Sequence, residues 1–220
     1  MNVLIFGATG MVGQGVLREC LLDPEVGRVL SVGRRATGLQ HPKLRELVVP
    51  DLLDYGAAQK QLAGYDACFF CLGISSVGMR EEDYRRITYD ITLAAAKLLV
   101  RLNPQMSFIY VSGAGTDSSE RGSSMWARVK GETENALMRL PFKAAYMFRP
   151  GFIQPLHGVR SKTALYRWIY LLARPVFSLV RILAPNRVTT SEQVGRAMLV
   201  AAKRGAPAPL VEMPDINALR

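Results

Sequence analysis

An α/β architecture, with a doubly wound, mainly parallel sheet and helices on both faces, is what this sequence predicts. Three observations predict it. Short apolar runs alternate with helix-patterned segments, and that alternation calls for parallel strands joined by crossover helices. The runs are apolar at successive positions, as strands buried on both faces are, and not at every second one. The first run also leads directly into glycines spaced by three, the local chemistry of a tight strand-to-helix turn.

Taken in order, Val3–Phe6, Val29–Val32, Leu47–Val49, Ala67–Cys71, Phe108–Val111 and Ala145–Phe148 read as buried strands. Between them Met11–Leu22, Tyr55–Leu62, Asp83–Leu102 and Ser123–Leu140 read as helices. In the third helix Ile91, Ala95, Leu98, Leu99 and Leu102 share one stripe, and Asn103-Pro104 ends it. Thr190-Ser191-Glu192-Gln193 is a capping-box pattern that opens a last helix to about Lys203. Leu210–Met213 reads as a final short strand. With no repeat, linker or low-complexity tract, the length suits a single domain over 1–220, with 150–190 as a small substrate or lid segment.

A hydrophobic fraction of 49% fits a packed core. The net charge of +10, from 28 basic and 18 acidic residues, favours anionic partners: a phosphorylated cofactor or an acidic lipid surface. Nucleic acid is disfavoured, because no Lys/Arg run is interleaved with aromatics. Only four apolar residues, Val3 to Phe6, precede the first glycine, with no basic region before them, so a secretory signal is not expected. The three cysteines, Cys20, Cys68 and Cys71, suit a reducing cytoplasm better than a disulfide framework. Cys68 and Cys71 form a C-x-x-C, but within a strand such residues point to opposite faces, so structural thiols are expected.

Residues 160–184 differ from the rest. They are apolar, yet Arg160, Arg167, Arg174 and Arg181 recur every seven positions. A seven-residue step drifts by only about 20° on a helix, so the four form one basic stripe. Pro175 interrupts a straight helix, at about 3 kcal/mol, and two helices meeting there are expected. A membrane span is disfavoured, since each central arginine costs about 2.5–3.5 kcal/mol. A lid over a substrate pocket, a subunit contact or an amphipathic element lying on anionic membrane remain.

The strongest signal is MNVLIFGATGMVGQGVL. Here Gly7, Gly10 and Gly13 permit a tight turn and close approach of backbone to a pyrophosphate, which meets the N–H groups opening the helix. We assign Gly7, Thr9, Gly10, Met11, Val12 and Gly13 to a dinucleotide, which makes the sheet Rossmann-type. A dinucleotide motif places an acid about twenty residues on, at the end of the second strand, to bind the ribose hydroxyls. That place holds Ser31-Val32-Gly33-Arg34-Arg35. Two guanidiniums in place of a carboxylate fit a 2′-phosphate, so Arg34 and Arg35 predict NADP(H) in preference to NAD(H).

GATGMVG at 7–13, VGRR at 32–35, Asp51, CLG at 71–73, VSGAG at 111–115, VKGETE at 129–134 and FRPGFI at 148–153 together resemble an atypical short-chain dehydrogenase/reductase. The likeness lies nearest the epimerase-type members and the Tat-interacting oxidoreductase branch, and it covers nearly the whole chain. It implies that Asp51, with Leu52 beside it, contacts adenine, and that Cys71, Leu72 and Gly73 lie against the adenosine side. It further implies that Pro150, Gly151 and Phe152 border the nicotinamide and the substrate.

The same resemblance implies a tyrosine four residues before a lysine, sharing its helix face. The lysine binds the ribose and lowers the tyrosine's pKa, and a serine after the fifth strand holds the substrate oxygen. Lys130 meets the spacing and is assigned to the ribose. The tyrosine position is Trp126, whose indole donates a hydrogen bond but releases no proton near neutral pH. Ser112 closes the fifth strand, but Gly113 and Ala114 follow it where a functional hydroxyl is expected. Ser123, Ser124, Tyr84, Tyr89 and His157 are the substitutes to look for. No residue is assigned to a metal. Two function classes follow: an NADP(H)-dependent reductase or epimerase-like enzyme of a small carbonyl compound, and a redox-silent NADP(H)-binding protein whose occupancy regulates a protein partner. A weaker third is a peripheral membrane protein acting through 160–184. Substrate and oligomeric state are left open by the sequence.

Overall fold

The computed structural model of the chain describes residues 1–158 and 188–220. The strands are β1 (Asn2–Phe6), β2 (Arg28–Gly33), β3 (Leu44–Val48), β4 (Ala67–Phe70), β5 (Ser107–Val111), β6 (Ala144–Arg149), β7 (Phe152–Gln154), β8 (Val188–Thr190) and β9 (Leu210–Glu212). Seven of them form one sheet in the order β3-β2-β1-β4-β5-β6-β9, while β7 and β8 pair separately. Every neighbouring pair is parallel. The order reverses between β1 and β4, and in such sheets ligands bind outside the carboxyl ends of the strands at that switch point. The Rossmann-type α/β fold expected from the sequence is the fold observed.

The helices are α1 (Met11–Leu22), α2 (Glu81–Arg85), α3 (Ile91–Leu102), α4 (Met125–Met138), α5 (Ser191–Arg204) and α6 (Met213–Ala218). Strand side chains alternate between the two faces. Val3, Ile5 and Phe69 join Val16, Leu17 and Cys20 of α1 and Val194, Ala197 and Met198 of α5 in one core. Leu4, Phe6, Cys68 and Phe70 join Ala95, Leu98 and Leu99 of α3 and Leu137 of α4 in the other. Phe6 stacks on Phe70 at 5.1 Å and Phe70 on Phe108 at 5.9 Å between centroids. Such pairs contribute about 0.5–1.5 kcal/mol each beyond their buried area.

Strands β7 and β8 are not predicted by the sequence, and four further elements differ from the expectation. The third strand begins at Leu44, earlier than Leu47, because it is an edge strand whose Arg45 and Glu46 face solvent and so break the apolar run. The segment before β4 is a 3-10 helix, Gly56–Leu62, and not an α-helix; within it only Leu62 is buried, too little apolar contact to hold a full helix in place. The helix after β4 carries a π turn, Arg86–Asp90, between α2 and α3. After β9 the chain turns at once into α6 at Met213, which the sequence predicts as the end of the strand.

The last long helix keeps half of its expected capping box. Thr190 Oγ1 accepts from Gln193 N at 3.0 Å, but Gln193 Nε2 instead donates to the carbonyls of Ile216 and Leu219. Most of the expected lid segment at 150–190, with the arginine stripe and Pro175, lies outside the described residues. No described helix is long and apolar enough to cross a membrane.

Candidate functional site

At the end of β1 the chain enters Gly7 with φ +78°, where a Cβ would stand 2.7 Å from Leu72 N and 2.8 Å from the Cys71 carbonyl. At Gly13 a Cβ would meet Gly7 O at 2.1 Å. Only glycine lets this turn close against both the helix behind it and the strand end beside it. Gly10 N–H donates to Gly7 O at 2.9 Å, and Gly10 then takes the N-cap position of α1 with no side chain capping the helix. The first-turn N–H groups, at Met11, Val12 and Gly13, lack an intrahelical acceptor, and with the helix dipole they favour an anion.

In front of that turn lies a cleft of about 500 Å³. Its walls are Gly7, Ala8, Thr9 and Gly10 from the first turn, Ser31 to Arg35 from the end of β2, Leu52, then Cys71 to Ile74, and Ile87. These residues fit a dinucleotide. The uncapped helix start suits a pyrophosphate, Arg34 and Arg35 add positive charge at the outer end, and Leu52, Ile74 and Ile87 supply apolar surface for a flat ring.

The sequence assignments divide across this cleft. Gly7, Thr9, Gly10, Arg34, Arg35, Leu52, Cys71, Leu72 and Gly73 line it. Asp51 does not: it is exposed, and its Oδ1 accepts from Leu53 N at 2.9 Å, so the local turn holds the carboxylate that the resemblance gave to adenine. Met11, Val12 and Gly13 stand behind the lining, in the first turn of α1. Lys130, Trp126, Pro150, Gly151 and Phe152 lie farther along the same carboxyl edge, at β5 and β6. There Ala114 N–H donates to Pro150 O at 2.9 Å. Ala8, Ser31, Val32, Gly33, Ile74 and Ile87 also line the cleft without having been assigned to the cofactor from the sequence. Ile87 carries no sequence signal, because the π turn that presents it reads as ordinary helix.

Lys130 is half-buried on α4, and its Nζ donates to Ser112 O at 2.7 Å, just beyond β5. The ammonium also stands 5.6 Å from the Tyr110 ring centroid. Burial pushes its pKa down to about 8, against the opposing pull of the Glu134 carboxylate. Trp126 stands beside Gly115, where a Cβ would meet its Cη2 at 3.5 Å.

Ser112 is corrected. Its Oγ donates to Glu134 Oε1 and lies 3.1 Å from Phe148 O, so the hydroxyl points into the protein and not toward a substrate. Glu134 has no exposed surface, and Arg149 binds it through Nε at 3.0 and 3.2 Å and through Nη2. Arg149 also reaches Glu212 at 3.1 Å. Hydrogen bonds to Glu134 hold the guanidinium's pKa above its ordinary value. Glu134 lies inside VKGETE and Arg149 inside FRPGFI; the available signal was Arg149, a charge set in an apolar strand run, while Glu134 stands among polar neighbours and gave none.

The substitute acids are likewise placed. Ser123 and Ser124 are exposed before α4 begins. Tyr84 is 2% exposed. Tyr89 lies under the guanidinium of Arg85 at 4.2 Å. His157 pairs with Glu192 at 2.6 Å, on the α5 side. Cys68 joins one core and Cys71 packs against the other, and burial raises both thiols, as it does Cys20. No described group of His, Cys, Asp or Glu is arranged to hold a metal.

Residues 3–122 match the model of the NAD dependent epimerase/dehydratase family. Protein HTATIP2 of Rattus norvegicus is 30% identical over 156 residues, covering 69% of this chain and 62% of that protein. Protein fmp52, mitochondrial, of Emericella nidulans is 28% identical over 159 residues, covering 69% of this chain and 66% of its own. The chain thus spans just under two thirds of either relative. Among solved structures, the Bordetella bronchiseptica enzyme WbmF in complex with NAD+ superposes with a TM-score of 0.67 at 16% identity, over 99% of this chain and 76% of that one. A short chain dehydrogenase family protein from Francisella tularensis subsp. tularensis SCHU S4 gives 0.64 at 15%, over 93% and 91%.

Proposed function

The chain belongs to the NAD dependent epimerase/dehydratase family, and on that premise we propose that it is an NADP(H)-dependent oxidoreductase, or epimerase-like enzyme, of a small carbonyl compound. One observation carries the cofactor choice: Arg34 and Arg35 line the cleft where β2 ends, and no Asp or Glu is among its described lining residues. A carboxylate there would accept from ribose hydroxyls and repel a 2′-phosphate, whereas a guanidinium fork grips one.

When bound, the cofactor supplies a hydride donor or acceptor. The chain's own residues bind and orient it. The first turn of α1 takes the pyrophosphate, the two arginines the 2′-phosphate, and Lys130 the ribose hydroxyls, while Trp126 walls the reacting end against water. The test is a pair of dissociation constants with the purified chain, followed by NADPH oxidation across aldehydes, ketones and quinones. NADPH is expected to bind at least about tenfold more tightly than NADH, since a charge-assisted hydrogen bond contributes about 1.5–3 kcal/mol. Equal affinities would remove the preference.

A second reading, a redox-silent NADP(H)-binding protein that regulates a partner, is favoured by Trp126 in the tyrosine's place and by the inward hydroxyl of Ser112. Tight NADPH binding without turnover, together with turnover gained by Trp126→Tyr, would decide for it. A cytoplasmic address belongs to the proposal, on the strength of three cysteines that stay thiols. The fungal relative is named mitochondrial, so fractionation of the tagged full-length protein is the measurement that decides.

A further inference from the structure

We propose that Lys130 is itself the proton donor of the reaction, giving an ammonium proton to the substrate oxygen that a tyrosine would otherwise protonate. The inference rests on the oxidoreductase reading above and deepens it.

Position comes first. Lys130 Nζ lies 2.7 Å from the carbonyl of Ser112, immediately past the carboxyl end of β5, on the edge where ligands of this fold bind. The second argument is the company it keeps. Its close partners are a neutral carbonyl and the face of Tyr110, and neither holds the proton as a carboxylate would. The nearest acid is Glu134, one helical turn on, and its oxygens are engaged by Arg149 and Ser112. The third is the removal of rivals. On β5, Tyr110 is 1% exposed; from α2, Tyr84 is 2% exposed; burial raises both phenols, so neither releases a proton into the site. Ser112 points inward, and Trp126 has no transferable proton. Arg149, facing this group from β6, stays charged and bonded to Glu134. Tyr89 is held under the Arg85 guanidinium and His157 by Glu192. Among these described groups, the one left is an ammonium whose burial brings its pKa down to about 8, close enough to neutrality to be protonated at rest and to release its proton on demand.

The step balances. A hydride passes from the reduced nicotinamide to the carbonyl carbon, and the C=O π pair moves onto oxygen. That oxygen forms an O–H bond as one N–H bond of Lys130 breaks, leaving a neutral amine that regains its proton from water. The nicotinamide is oxidised and the carbonyl reduced.

The experiment uses the full chain with NADPH, and with 9,10-phenanthrenequinone and benzaldehyde as probes. Wild-type kcat is expected to fall as pH rises above about 8. Lys130→Arg keeps a cation and its donors but does not give up a proton near neutrality. Measured at saturating NADPH, because loss of the lysine's ribose contact weakens the cofactor's affinity, it is expected to lose about 10²–10⁴-fold in kcat and to lose the alkaline limb. A readout independent of turnover is the lysine ¹³Cε resonance that disappears in Lys130→Arg, expected to titrate near pH 8. The proposal is overturned if that resonance titrates above pH 10, if Lys130→Arg keeps kcat within tenfold or keeps the limb, or if wild type with NADPH bound turns over neither probe. In that last case cofactor binding stands and only the acid falls. Failure of wild type to bind NADPH removes the underlying reading.

Discussion

Arg149 on β6 and Glu134 on α4 form a buried ion pair, with Arg149 Nε 3.0 and 3.2 Å from the two carboxylate oxygens. Ser112 joins from the end of β5 and Glu212 from β9. The charged residues of VKGETE and FRPGFI thus serve partly to clamp the sheet's carboxyl edge beneath Lys130. A buried charge stripped of its partner is costly, so Glu134→Ala is expected to lower stability by about 3–5 kcal/mol, read from urea unfolding. Glu134→Leu combined with Arg149→Met should be less harmful than either alone, because no lone charge is left inside. Strict additivity in that double-mutant cycle would contradict the pair.

Ser112 tests the same clamp from its neutral end. Replacing it with alanine removes one hydrogen-bonding hydroxyl, for about 1 kcal/mol. NADPH affinity and kcat should stay within a few fold of wild type. A hundredfold loss of kcat in a folded Ser112→Ala protein would mean that the hydroxyl turns outward during reaction.

Arg34→Ala and Arg35→Ala address the cofactor. If each guanidinium makes a charge-assisted bond of about 1.5–3 kcal/mol to the 2′-phosphate, each replacement weakens NADPH binding by about 10- to 100-fold. NADH binding should move by less than about twofold. Fluorescence titration of both cofactors measures this, and equal losses for the two would show the arginines acting on something other than the 2′-phosphate.

Gly7→Ala joins two penalties. Alanine at φ +78° is strained by about 1–3 kcal/mol, and its Cβ would stand 2.7 Å from Leu72 N. The expected outcome is a lower melting temperature together with lost NADPH binding, because the turn that closes the cleft has to open. Retained affinity at wild-type stability would show the turn to be more yielding than its geometry.

Lys130 should also appear in the pH dependence of stability. Its folded pKa of about 8 lies below the unfolded lysine value of about 10.4. Between those values the unfolded chain binds more protons, so this residue makes stability rise with pH across that window and contributes no slope below it. In Lys130→Met the rise attributable to it is absent. Urea unfolding of both proteins from pH 7 to 10 measures the difference, and parallel curves would place the lysine in water.

Much of this protein was legible in one dimension. Strand-forming runs, the glycine turn and the capping threonine are local signals, set by backbone sterics and by hydrogen bonds spanning a few residues. They fixed the α/β layers, placed α1 against β1, and put Arg34 and Arg35 at the end of β2. Edge strand β3 was read short because half of its side chains face water. Ile87 was invisible because a π turn has no composition of its own.

Which polar side chains face the site and which face the interior was decided only by the tertiary structure. Ser112, Glu134 and Arg149 sit within motif segments that read as functional, yet three elements distant in sequence converge to bind them to one another. A side chain's role depends on the partner that satisfies it once water is excluded, and here that partner lies up to dozens of residues away. The sequence therefore determined the sheet and the nucleotide turn. The fold decided that, of VKGETE, Lys130 is directed to the carboxyl edge and Glu134 to the core.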